Sequence, residues 1–528
     1  MNANDIVGKL WRLCTILRKD GITYQQYVTE LTYLLFLKMM KELNKEEEVK
    51  NDRKFVNIPR GMRWEDLVAA NGIDQLQLYR EMLTALGNPR SRVDKKGKLL
   101  DLPSKDDDSE EGHKRRTAYE KADPLPRTVQ AIFNSSATFL REPANLRELV
   151  DQIDKLHWFS EERDQFGDLY EGLLQKNAEE TKRGAGQYFT PRVLIETIVD
   201  LMKPQPGEVI QDAAAGTGGF LIAADRYMKA RTDDYFELEP KDQTFQATRA
   251  FHGMENVAGT YRLLLMNLYL HGIDPLHVEL GDTLSPKGAD MEKADLVLTN
   301  PPFGPAGGKP TRDDLTVTKA VSSYQLPFVE HYIRVLKPGG RAAMVLPDNV
   351  LFEDGRGKAL RQKMLRECRV HTILRLPTGI FYAQGVKTNV IFLQKSEKPE
   401  SALARQKKDE TDTVWIYDLR AQMPQFGKTN SFSEEHLKDF IAAYGEDSNG
   451  RGKRKDEGEE GRFRKFTREE IEKRGDNLDI KWLPDSEEDD EETLIHPAEI
   501  ASAIMGHLQT AMDEIQALQD ELANGEAA

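Results

Sequence analysis

The chain has 528 residues, enough for about three domains that each bury a core. Its two cysteines, Cys14 and Cys368, give neither a disulfide framework nor a metal-ligand spacing, which excludes a small secreted scaffold and fits a reducing cytoplasm. The formal charge of −15 is concentrated: Lys105–Glu111 carries −4 and Asp485–Glu492 carries −7, so the remainder is close to neutral and DNA binding is not excluded.

Residues 1–160 read as an N-terminal helical domain. Ile6, Val7, Leu10, Leu13, Cys14 and Leu17 recur at helical spacing, and Tyr24–Leu43 is apolar on most sides, as a helix buried in a bundle would be. Met1–Asp5 is not a secretory n-region, and the longest apolar stretch, Leu31–Met40, contains Lys38 and is too short to span a bilayer, so no membrane role is expected. Gly87–Pro124, rich in Lys, Asp, Ser and Pro, reads as a long exposed loop. Residues 161–430 alternate short strands with helices. The strand candidates are Glu208–Gln211, Ala250–Met254, Val278–Leu280, Asp295–Thr299, Arg341–Leu346, Thr372–Leu376, Asn389–Leu393 and Val414–Asp418. This pattern predicts an α/β fold with a doubly wound, mostly parallel sheet. Residues 431–494 read as a polar and acidic linker region. In 495–528, Ile500, Ile504, Leu508, Ala511, Ile515, Leu518 and Leu522 form one seam of a helix, suited to docking a partner or packing back on this chain.

Three strand ends carry acids in order: Asp212, Glu255 and Asp282. After the first, Gly216-Thr217-Gly218-Gly219 makes a tight turn into a helix whose N-terminus favours an anion. The turn lacks the lysine of a phosphate loop and does not match G-x-G-x-x-G. Each acid alone is an ordinary solvated loop residue; together they suit a ligand with a ribose and an adenine amine. The fourth strand, Asp295–Thr299, runs into Asn300-Pro301-Pro302-Phe303. Asn-Pro is ordinary turn chemistry. It is also a means of holding an exocyclic amine: the Asn300 side-chain carbonyl and the Pro301 backbone carbonyl accept its two N–H bonds, the prolines offer no competing N–H, and Phe303 stacks on the base.

With these motifs in place the chain resembles the N6-adenine DNA methyltransferases in which the cofactor motif precedes the catalytic one. More narrowly, it resembles the modification (M) subunit of type I restriction–modification systems. The resemblance spans nearly the whole chain and includes Leu10-Trp-Arg-Leu-Cys-Thr-Ile-Leu17, Phe166-Gly-Asp-Leu-Tyr-Glu-Gly-Leu173, Gly186-Gln-Tyr-Phe-Thr-Pro-Arg192, Gly253-Met-Glu-Asn256, Leu376-Pro-Thr-Gly-Ile-Phe381 and Asn477-Leu-Asp-Ile480. It implies an S-adenosylmethionine-dependent methyltransferase fold, Rossmann-like, with an N-terminal all-α domain and a C-terminal helix.

By the same resemblance, Tyr188, Phe189, Thr190 and Pro191 wall the methionine part of S-adenosyl-L-methionine. Asp212, Gly216, Thr217 and Gly218 shape its pocket, Glu255 holds the ribose hydroxyls and Asp282 the cofactor adenine. Asn300, Pro301, Pro302 and Phe303 hold the target adenine, and Phe381, Lys387 and Asn389 lie in the segment resembling the base-pocket wall. Where the family often has Pro and Cys after the first acid, this chain has Ala213-Ala-Ala215, which keeps the turn small. No metal is called for. The residues after Gln394 leave little room for a base-reading domain, so a separate specificity (S) subunit is expected. The resemblance adds further partners: duplex DNA, a second copy of the chain in a core of two modification subunits around one specificity subunit, and a restriction (R) subunit. Two other readings stay open: an amine methyltransferase acting on RNA or protein glutamine, and a catalytically silent scaffold for DNA or a specificity subunit.

Overall fold

A computed structural model describes residues 3–22, 24–50, 58–100, 102–104, 107, 109–156, 170–174, 190–381, 386–398, 400–403, 408–421, 423–424, 426 and 430–483. Tyr188, Phe189, the acidic run 485–492 and the expected terminal helix lie outside these residues. The chain divides into two compact units, Met1–Arg183 with Ala258–Pro275, and Gly184–Val257 with Leu276–Ala528. The division therefore differs from the continuous one expected at 160: a segment of the α/β sequence belongs to the first unit.

The first unit is mainly helical. Its longest helix, Tyr24–Lys50, buries Leu31, Tyr33, Leu34, Leu35 and Phe36 almost completely, as an all-round apolar stretch requires. The spacing from Ile6 to Leu17 is split between two helices, Ala3–Arg12 and Cys14–Lys19. Helix Ala258–Leu270 contributes Leu265, Met266 and Leu270 to this core. Its Arg262 donates through Nε to the Ile132 carbonyl (2.8 Å) and through Nη2 to that of Asn134 (2.9 Å). The expected long loop over 87–124 instead contains β1 (Arg92–Val93), β2 (Leu99–Leu100), β3 (Asp123–Pro124) and the helix Glu110–Glu120. Strands of two residues leave no periodicity to read.

The second unit is built on one sheet of β4 (Ile210–Asp212), β5 (Phe251–Glu255), β6 (Val278–Leu280), β7 (Ala294–Thr299), β8 (Leu336–Pro347), β9 (Cys368–Leu376), β10 (Thr388–Lys395), β11 (Thr413–Asp418) and β12 (Phe463–Thr467). Its order is β12-β11-β9-β10-β8-β7-β4-β5-β6. β6, β5, β4, β7 and β8 run parallel, β10 is antiparallel to both β8 and β9, β11 is parallel to β9, and β12 is antiparallel to β11. β10 reverses because the connection from Leu376 to Thr388 is too short for a crossover helix. Leu296–Leu298, Ala342–Leu346 and Val390–Leu393 are fully buried, as strands covered on both faces must be.

The expected linker region is, over its described residues, part of this unit. It holds helix Lys438–Tyr444, strand β12 and helix Arg468–Lys473. Phe440 and Tyr444 are buried beside Phe392 of β10, with ring centroids 6.2 and 5.1 Å away. Arg454, in the charged stretch 449–461, donates to the Tyr444 carbonyl (3.0 Å) and to Thr372 Oγ1 (2.8 Å) and lies over the Tyr444 ring. The polar composition hid a few apolar anchors spaced far apart. Among the described residues, no helix is long and apolar enough to cross a membrane.

Candidate active site

Four of the parallel strands, adjacent in the order β6-β5-β4-β7, bring the sequence-selected residues to one edge. Asp212 ends β4, Glu255 ends β5, Asp282 lies two residues beyond β6, and Asn300 follows β7 directly. Neighbouring strands are about 4.8 Å apart, so these residues line up along the carboxyl ends of the strands, the edge at which open α/β sheets take their ligands.

The glycine turn leaves β4 and enters helix Gly219–Lys229. Gly216 and Gly218 have φ of +55° and +87°, in the left-handed region that side chains resist. A Cβ on Gly216 would meet nothing within 4 Å, so the turn faces open space. Glu255 ties the turn down: its Oε2 accepts from the Gly216 amide (3.0 Å) and its Oε1 from the Val257 amide (2.8 Å). Burial raises the Glu255 pKa, and the bonds from Val257 and Gly216 offset part of the rise. Asp212 is 2% exposed, and its Oδ1 accepts from the Ala214 amide (3.0 Å) and from Thr299 Oγ1 (2.7 Å). Burial pushes its pKa up to about 7 against those two bonds, which favour the charged form. Asp282 is exposed, with Oδ1 accepting from the Leu284 amide at 2.9 Å.

At the end of β7, Asn300 Nδ2 donates to Thr190 Oγ1 at 2.8 Å. Asn300 Oδ1 is buried and has no hydrogen-bond partner among the described residues. A buried acceptor of this kind is costly to leave unmet. Pro301 is buried, while Pro302 and Phe303 are half-buried. The following turn is held from behind: the Gly304 amide donates to Gln325 Oε1 (3.1 Å), and its carbonyl accepts from the Tyr324 amide (3.0 Å). Pro191 caps helix Arg192–Met202, beside the buried Thr190.

Sequence reasoning missed Thr299 and Tyr332. Tyr332 OH lies 2.8 Å from Thr299 Oγ1, which in turn bonds Asp212, so one hydroxyl links the ends of β7 and β4. It also missed Asp348 and Arg420, which occupy Asn389 fully: Asn389 Nδ2 donates to Asp348 Oδ1 (2.7 Å), and its Oδ1 accepts from Arg420 Nη2 (3.2 Å). Asn389 is thus a framework residue with both ends of its amide engaged. Phe381 is buried and Lys387 half-buried, in the connection between β9 and β10. Asp348, directly after β8, was legible as one more acid at a strand end; nothing local marks its arginine partner.

These features coincide with matches to known proteins. The family described as N-6 DNA Methylase matches residues 161–492, and the HsdM N-terminal domain matches residues 6–156. The chain is 46% identical to the type I restriction enzyme EcoKI methylase subunit of Escherichia coli and 45% identical to the StySJI methylase subunit of Salmonella typhimurium. Both matches cover 100% of this chain and 97% of the relative. The crystal structure of the EcoKI M protein is similar at a TM-score of 0.53 and 42% identity, covering 98% of this chain and 96% of that one. With both family models and both relatives matching along the chain, the chain belongs to the N-6 DNA methylases, among the methylase subunits of type I restriction enzymes.

Proposed function

We propose that this chain transfers the methyl group of S-adenosylmethionine to N6 of an adenine flipped out of duplex DNA, with a separate specificity subunit choosing the base. The observation that carries the reading is the Oδ1 of Asn300 after β7, buried and without a hydrogen-bond partner among the described residues. An adenine amine has two N–H bonds to give, and its lone pair is delocalised into the ring. Accepting one N–H at Asn300 and the other at the Pro301 carbonyl draws the nitrogen towards a nucleophilic geometry. Phe303 supplies a face for stacking, worth about 1–3 kcal/mol, which offsets part of the cost of extracting the base from the duplex.

The residues present fit the cofactor. The open face at Gly216 admits a ligand close to the backbone. Glu255 and Asp282 are acceptors on adjacent strands, for a diol and an amine respectively. Thr190 and Pro191 stand at the start of a helix for the methionine end, with Tyr188 and Phe189 preceding them in sequence. When bound, the cofactor supplies a sulfonium methyl and a thioether leaving group, so the chain's task is positioning. The proposed assembly has two copies of this chain around one specificity subunit, joined by a restriction subunit for cleavage.

The test is direct. The purified chain and its cognate specificity subunit, given radiolabelled cofactor, are expected to label adenine N6 in duplex DNA. Label appearing only in RNA or protein, or an unchanged rate in Asn300→Ala, sinks the proposal.

A further inference from the structure

The connection between β9 and β10 leaves the sheet at the same edge as Asn300, because Thr388, at the start of antiparallel β10, pairs with Pro347, at the carboxyl end of β8. Its two ends are joined by one side chain from elsewhere. Arg420, 4% exposed, donates through Nε to the Leu376 carbonyl (2.9 Å) and through Nη2 to the Thr388 carbonyl (2.8 Å). The same guanidinium forks onto Asp348, with Nη1 donating to Oδ2 at 2.7 Å and Nη2 to Oδ1. Burial raises the Asp348 pKa, but the bonds and charge of Arg420 more than offset this and keep it ionised. A second contact braces the connection further along. Gly379 has φ of +82°, and a Cβ there would lie 2.1 Å from the Phe426 carbonyl oxygen. Two residues past β11 thus meet described parts of this connection: Arg420 through its side chain at the flanking strand ends, and Phe426 through its backbone at Gly379.

We propose that Arg420 is a positioning residue for methyl transfer: it ties the two strand ends that flank the β9–β10 connection, at Leu376 and Thr388, to Asp348 after β8, on the sheet edge that carries Asn300. The inference rests on the reading of this edge as an adenine pocket. Arginine is needed because its planar fork serves a carboxylate and two carbonyls at once; a lysine ammonium reaches fewer of these at a time. The bonds of Arg420 go to Leu376, Thr388, Asp348 and Asn389, whereas Asp212 and Glu255 are held by amides and a hydroxyl of the cofactor turn and β7. Its loss is therefore directed at the target base and not at the cofactor turn.

The experiment compares Arg420→Lys and Arg420→Gln with the parent, each as the full chain with its specificity subunit. The target adenine is first located by methylation mapping of DNA from cells expressing the pair, and is then replaced by 2-aminopurine in a duplex probe. Expected for Arg420→Lys are a cofactor Kd within about twofold, a loss in kcat of about tenfold or more, and a weakened 2-aminopurine signal. Hydrogen exchange should quicken in peptides covering 377–387 but not in those covering 208–220. Arg420→Gln should extend the same pattern; if it does not fold, the lysine variant decides. Retention of both the 2-aminopurine signal and the rate within about twofold overturns the proposal, as does a loss confined to cofactor affinity. A parent complex that methylates no adenine refutes the functional reading instead, so the two failures are distinguishable.

Discussion

Replacing Asn300 with alanine should separate stability from activity. In the folded chain this side chain makes one hydrogen bond among the described residues, Nδ2 to Thr190 Oγ1 at 2.8 Å, and leaves its buried Oδ1 unmet. Losing the bond costs about 1 kcal/mol net, while removing the unmet acceptor returns about 1–3 kcal/mol. The sum leaves local stability unchanged or raised by up to about 2 kcal/mol. The transferred-methyl rate should move the other way: one positioned polar contact to a reacting group is worth about 100- to 1000-fold. Hydrogen exchange over Ala294–Thr299 reads the stability of β7, and single-turnover methyl transfer with the specificity subunit reads the chemistry. A local destabilisation beyond about 2 kcal/mol would mean that Asn300 is a framework residue, on the scale of a broken buried contact. A rate within about tenfold of the parent would remove it from the chemistry.

Three further outcomes follow from the site and the tail. Asp212, carried from 3.8 to about 7 by burial, stays protonated in the folded chain while the unfolded chain ionises it. Stability should therefore fall as pH rises between about 4 and 7, by at most about 4 kcal/mol. Asp212→Asn should remove this slope, so that its advantage over the parent in denaturant midpoint grows from about pH 5 to about pH 8. Asp282→Ala, at an exposed strand end, should weaken cofactor binding about tenfold by calorimetry and leave the melting temperature within a degree or two. Deleting residues 495–528 should abolish co-purification of the specificity subunit while cofactor affinity is kept; persistent co-purification would place the docking surface elsewhere.

Much of the sheet was legible because its strands are short apolar runs bounded by turn residues. Val278–Leu280 was read to the residue, and Asp295–Thr299 differs from β7 by one position. β12 escaped because Arg464 and Lys465 separate Phe463 from Phe466, so neither alternation nor a continuous run appears. The edge pairing with β11 and the burial of Phe463 decide its conformation, and both come from residues far away in sequence. The same holds for helix Ala258–Leu270: in sequence it lies between two strands of the sheet, yet Leu265 and Met266 are buried in the core of the helical unit. Amphipathicity says that a face is buried, not against what.

For the site, position and role separate in a similar way. Asp212, Glu255, Asp282 and Asp348 all follow strands that end at one edge, and a rule that marks acids at strand ends finds each of them. What tells them apart is the company they keep. Asp348 is met by a buried guanidinium 72 residues further along the chain, which holds its carboxyl below the usual range and consumes it as framework. Asp212 and Glu255 are met by amides and, for Asp212, a hydroxyl, and burial raises both. A buried carboxyl met by amides or a hydroxyl and not by a cation is disfavoured in its charged form, and a ligand that donates hydrogen bonds or brings positive charge favours that form. The proposed cofactor-side acids are therefore the ones that the fold leaves without a buried guanidinium, and no local pattern distinguishes them from Asp348, which the fold has already paired.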